Sequence, residues 1–78
     1  MSKYMILASI ELNGKKLGYR CFTNKLNTDM NNIESKLAKT KVKISVYKAL
    51  YGDMDELFRI PDMVMYSDLS TFRDAIEC

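Results

Sequence analysis

Histidine is absent from this sequence. That removes the commonest general base, the commonest zinc ligand and the usual switch near neutral pH. Cysteine occurs twice, as Cys21 and as the last residue, Cys78. Two thiols so placed make a poor disulfide framework and fit a reducing compartment, so a cytoplasmic protein is expected. No apolar run approaches the ~18 residues of a membrane span, and Met1–Leu12 lacks a signal-peptide cleavage pattern. With one proline and three glycines, the chain has neither a flexible linker nor a glycine-rich phosphate loop. These absences point away from an enzyme and from any cofactor.

What is present is enough for one small domain, expected over 1–78. A chain near this size buries only about 60% of the surface it exposes when unfolded, and its free-energy balance sits near zero. Tight packing, self-association into a homodimer or a bound partner commonly supplies the rest. Residues 1–50 carry ten Lys/Arg against three acids, a net +7, whereas residues 51–78 carry Arg59 and Arg73 against seven acids, a net −5. Such asymmetry marks an interaction surface, unless the acidic end folds against the basic part.

The clearest element is an N-terminal hairpin. From Lys3 to Leu12 the chain alternates, with Tyr4, Ile6, Ala8, Ile10 and Leu12 on one face. Asn13-Gly14 then supplies a two-residue type I′ turn, in which both central residues need φ > 0. That turn sets Leu12 opposite Lys15, Ile10 opposite Leu17, Ala8 opposite Tyr19 and Ile6 opposite Cys21, one apolar face. The other face carries Glu11 opposite Lys16, a cross-strand charge pair, and leaves Met5, Leu7 and Phe22 in need of cover.

Leu26, Met30, Ile33 and Leu37 follow at helical spacing. They predict a helix from Asn24 or Thr28 to Lys39, with Thr28 as N-cap and Asp29 in the first turn. Lys41–Leu50 alternates as a third strand, with Val42, Ile44 and Val46 on one side and Lys43, Ser45 and Tyr47 on the other. Gly52-Asp53 marks a turn, and residues 54–60 stay open between helix and extended chain. Met63–Tyr66 reads as a short fourth strand. Ser67 or Asp68 caps a last helix bearing Leu69, Phe72, Ala75 and Ile76 on one face. The expected fold is α+β in the order ββαβ(β)α, an antiparallel sheet of three to four strands with one or two helices.

Three groups of residues compete for a functional role. Asp53-x-Asp55-Glu56 offers oxygen ligands to Mg²⁺, but no closing Glu follows at EF-hand spacing and Asp is common in turns for local reasons, so no metal site is expected. The second sheet face would show Phe22 and Tyr47 beside Lys16, Arg20 and Lys43, the pattern that stacks bases and neutralises phosphates in single-stranded nucleic acid. Against this, Leu69, Phe72 and Ile76 need a surface to bury against, and the expectation is that the last helix covers that face. Lys36, Lys39, Lys41 and Lys43 cluster between the first helix and the third strand, where a phosphate contact competes with a solvated loop end. The third group is the methionine-rich acidic stretch Tyr51–Tyr66, in which Asp53, Asp55, Glu56, Phe58, Met63, Met65 and Tyr66 set apolar anchors in a charged rim, as at protein interfaces.

No motif assigns a family. In size, in its Lys/Asn/Asp/Met-rich composition and in its lack of catalytic chemistry, the chain resembles the small early proteins with which bacteriophages bind and inhibit host machinery. The resemblance implies a non-catalytic protein-interaction module, an inhibitor or modulator of nucleic-acid-handling or defence machinery, with Tyr51–Tyr66 meeting a basic partner surface. The alternative is a single-stranded RNA- or DNA-binding domain that uses the basic, aromatic sheet face.

Overall fold

The computed structural model describes residues 3–48 and 62–77. Among the described residues six elements occur in chain order: β1 (Tyr4–Leu12), β2 (Lys15–Thr23), α1 (Leu26–Lys36), β3 (Lys43–Lys48), β4 (Met63–Tyr66) and α2 (Leu69–Glu77). The fold is α+β, and the order is the one that the sequence patterning predicts.

The hairpin forms because its turn residues permit it. Asn13 and Gly14 sit at φ 51° and φ 80°, the left-handed region that a type I′ turn demands. The register follows, with Leu12 facing Lys15, Ile10 facing Leu17, Ala8 facing Tyr19 and Ile6 facing Cys21. β3 adds to the free edge of β1 in antiparallel sense, pairing Ile44 with Ala8 and Val46 with Ile6.

The sheet order is β3-β1-β2-β4. β4 runs parallel to β2, Leu17 meeting Val64 and Tyr19 meeting Tyr66, so the sheet is mixed rather than wholly antiparallel. A two-residue hairpin forces its strands antiparallel. The Asn13-Gly14 turn places no such constraint on β4, and the described strand before it, β3, lies at the opposite edge.

Both described helices pack on the same face. Leu69 and Phe72 of α2 share one buried cluster with Ile33 and Leu37 beneath α1 and with Ile6, Ala8 and Leu17 of the sheet. The expectation that the last helix covers the second face is therefore overturned. Four strands about 4.8 Å apart offer a face wide enough for two helices of about 10 Å diameter side by side, and one continuous core excludes more water than two thin ones. Phe72, fully buried, fills the centre of this core. Its ring stacks on Tyr19 at 6.1 Å between centroids and meets Tyr66 tilted at 5.8 Å.

The two helices start differently. Asp68 caps α2, its Oδ2 accepting from the Thr71 backbone N–H at 2.9 Å and from the Thr71 hydroxyl at 3.0 Å. α1 begins before Thr28, the expected cap. Lys25 holds the cap position without a side-chain bond to the helix, and its own N–H donates to Thr23 Oγ1 at 2.8 Å. Beyond α1 the chain turns at Lys39, held at φ 72°. The Thr40 hydroxyl closes this turn by donating to the Leu37 carbonyl at 2.6 Å.

Candidate functional site

Of the acidic, methionine-rich stretch, Asp53, Asp55, Glu56 and Phe58 lie outside the described residues, as do the Gly52-Asp53 turn and Cys78. Its last three anchors fall in β4, where alternation sends them to opposite faces. Tyr66 points to the helix-covered face and packs against the main core. Met65 points to the other face and packs against Met5 and Leu7. Met63 also lies on that face, over Gly18. The exposed apolar side chain of β4 is Val64, at 47%.

The register gathers all five residues of the nucleic-acid alternative on the face that neither described helix covers. Tyr47, Met5 and Phe22 form one row across β3, β1 and β2. Ser45, Leu7 and Arg20 form the next, Lys43 and Ser9 the third, and Glu11 with Lys16 the last. The Arg20 guanidinium stands over the Phe22 ring, 5.9 Å from its centroid, a cation–π distance. Phe22 is 42% exposed. The middle of the face is shut off from solvent: Met5 is fully buried, Leu7 is 6% exposed, and Tyr47 packs against them.

The topology makes a third surface. β1 ends, and β3 and β4 begin, at the edge of the sheet that holds the Asn13-Gly14 turn, and α1 delivers the chain there through Lys39. A cleft of about 710 Å³ opens at this edge, lined by Lys16, Lys41 and Lys43 together with Ser9, Glu11 and Met63. It adjoins a shallower cleft of about 320 Å³ with which it shares Ile10, Leu12 and Lys41, and which continues past Lys39 to Arg73. Sequence patterning finds the lysines from 36 to 43 as a local cluster. It does not join Lys16 to Lys41, which requires the pairing of β3 with β1 and hence the whole sheet.

Charges at this edge are sparsely paired. Among the described residues the ion pair is Arg73 with Glu77, at 3.1 Å within α2. Glu11 lies in the cleft with the lysines, beyond ion-pair distance of them. Lys36, on the α2 side, adds to the field that holds the Asp68 carboxyl below the usual range, an effect due chiefly to the two hydrogen bonds from Thr71.

A small polar group sits beside the core. The Cys21 thiol donates to Asp29 Oδ2 at 3.9 Å. Burial, and then the Asp29 charge, pushes the Cys21 pKa up. Burial, and then the neighbouring Cys21, pushes Tyr19 up to about 12. Cys21 is thus kept as a thiol, the unreactive form. No group of metal-ligating residues occurs among the described residues, and none of the described helices is long and apolar enough to cross a membrane. Searches of protein-family models, of characterised proteins and of solved structures return no match to this chain.

Proposed function

We propose that this chain is a non-catalytic protein-interaction module, a small inhibitor or modulator of nucleic-acid-handling or defence machinery. The observation that carries the reading is the segregation of charge. Of the acids from residue 51 onward, the described ones (Asp62, Asp68, Asp74 and Glu77) are all exposed, and the one ion pair among the described residues lies inside α2. The acidic third thus leaves a field to steer a partner of opposite sign. Tyr51–Tyr66 is the docking segment in this reading, and a basic protein surface, such as one that ordinarily holds nucleic acid, is the partner.

Affinity capture from cell lysate, with and without nuclease, tests the proposal. A defined protein recovered in both conditions supports it. Full capture after joint charge reversal at Asp53, Asp55 and Glu56 removes the electrostatic half, and loss of the captured protein on nuclease treatment removes the reading.

One observation favours a second reading, single-stranded nucleic acid on the sheet. Lys16, Arg20, Phe22, Lys43 and Tyr47 share one face, with Arg20 over Phe22. The burial of Met5 and Leu7 between them weighs against it, since bases need accessible ring faces on which to stack. Loss of oligonucleotide binding in Phe22→Ala, with the melting temperature unchanged, would restore it.

A further inference from the structure

We propose that the sheet edge bearing the Asn13-Gly14 turn carries a binding track for the phosphodiester backbone of single-stranded nucleic acid, formed by Lys16, Lys43, Lys41 and Lys39. The site shares Lys16 and Lys43 with one end of the sheet face and Met63 with the docking segment, but Phe22 and Tyr47 take no part in it. Three observations carry it.

The first is convergence. Lys16 comes from β2, Lys43 from β3, and Lys39 and Lys41 from the turn after α1, yet Lys16, Lys41 and Lys43 line one cleft and Lys39 and Lys41 line its continuation. The second is want of neutralisation. None of the four lysines forms an ion pair among the described residues. Glu11 and Glu77 are the acids that line the clefts, and Glu77 is engaged with Arg73. The third is Lys39 itself. It holds φ 72° just beyond a helix end, where glycine is the usual residue because a side chain is strained there. A lysine at that position keeps a charge in the track against a local backbone cost, and an observed outlier of this kind is a pointer to function.

The shape selects the ligand. Cations spaced along adjoining open clefts match a chain with a charge at every step, and Ile10, Leu12 and Met63 give sugars and bases an apolar wall. Contacts of this type confer no sequence preference and are strongly salt-dependent.

The test is fluorescence anisotropy of a labelled oligothymidylate titrated with the intact chain. Four phosphates neutralised on a single strand predict a log–log salt slope of about −3, or about a fifty-fold loss of affinity between roughly 50 and 200 mM salt. In the triple variant Lys16→Gln, Lys41→Gln, Lys43→Gln the slope should fall to about −0.7, with an unchanged circular-dichroism spectrum and melting temperature. Phe22→Ala should bind as wild type. Lys39→Gly supplies a variant that cannot fail by unfolding: relief of the positive φ should raise the melting temperature while affinity drops. Absence of binding at the lowest salt, wild-type affinity in the triple variant, or equal affinity for polyglutamate overturns the proposal. Because the probe is nucleic acid alone, that failure leaves the protein-partner reading standing.

Discussion

The Sδ atom of Met63 lies 2.5 Å from the point that a Cβ on Gly18 would occupy, and Sδ of Met65 lies 2.9 Å from it. Non-bonded heavy atoms do not approach so closely without repulsion. Gly18 is therefore where the β2 backbone lets β4 lay two thioethers across the sheet. The atoms met belong to flexible thioether side chains that can swing aside, so Gly18→Ala should lower stability by about 1 kcal/mol, the low end of the overpacking range, although alanine is the better strand residue. Adding Met63→Ala should recover part of the loss, a coupling that separately measured melting temperatures would reveal. Gly14→Ala makes the contrast: no atom lies within 4 Å of its Cβ position, so its cost, about 1–2 kcal/mol, comes from φ alone and Met63→Ala should not touch it. A Gly18→Ala variant more stable than wild type would refute the close packing.

Phe72 is the test of the core. It is fully buried and touches the rings of Tyr19 and Tyr66 from two different strands. Phe72→Ala should cost about 3–5 kcal/mol, as much as a core of this size supplies. Its circular-dichroism spectrum should show a largely unfolded population at room temperature. Val64→Ala, at a β4 position that is 47% exposed, should stay within about 0.5 kcal/mol of wild type. Equal melting temperatures for the two variants would mean that α2 is not seated on this face.

Stability should fall on the alkaline side. The Tyr19 pKa is raised to about 12 from 10.0, so folding favours its neutral form. Its contribution is fully present below the unfolded value near 10 and is lost as pH rises toward 12. The Cys21 pKa is raised above 9.0, so its loss begins at lower pH. Urea midpoints from pH 8 to pH 12, read with tyrosinate absorbance, should decline in that order. In a Cys78→Ser background, alkylation of Cys21 should be slower in the folded chain than in urea. A midpoint that rises between pH 10 and 12 would contradict the burial of Tyr19.

The hairpin was legible in the sequence to the residue, because Asn13-Gly14 fixes a register that the alternation on both sides obeys independently. Met63–Tyr66 and a cap at Ser67 or Asp68 were legible for the same reason, a local rule with a local cause, and Asp68 is the one that caps. The direction of β4 and the seat of α2 were not. Each follows from where a distant strand lies, and neither Leu69 nor Phe72 carries information about which of two apolar faces will receive it. The lysine track divides along the same line. Lys39, Lys41 and Lys43 are near neighbours in the chain, whereas Lys16 joins them only once β1 has paired on both sides. The early start of α1 shows a rule losing to context: Thr28 is the better cap, but the Thr23–Lys25 bond turns the chain into a helix sooner.

The parallel seating of β4 against β2 also orders the assembly of the chain in time. The β1–β2 hairpin closes across two residues and needs nothing else to begin, a microsecond event for hairpins in general. β4 must find Lys16–Tyr19 from the far end of the sequence, and long closures of this kind are slow because their entropy is lost before any contact compensates. Until β4 and α2 arrive, Ile6, Ala8 and Leu17 have only α1 to shelter them, and β2 presents an unpaired edge. That interval, rather than the finished fold, is when the molecule is most open to aggregation with its own copies.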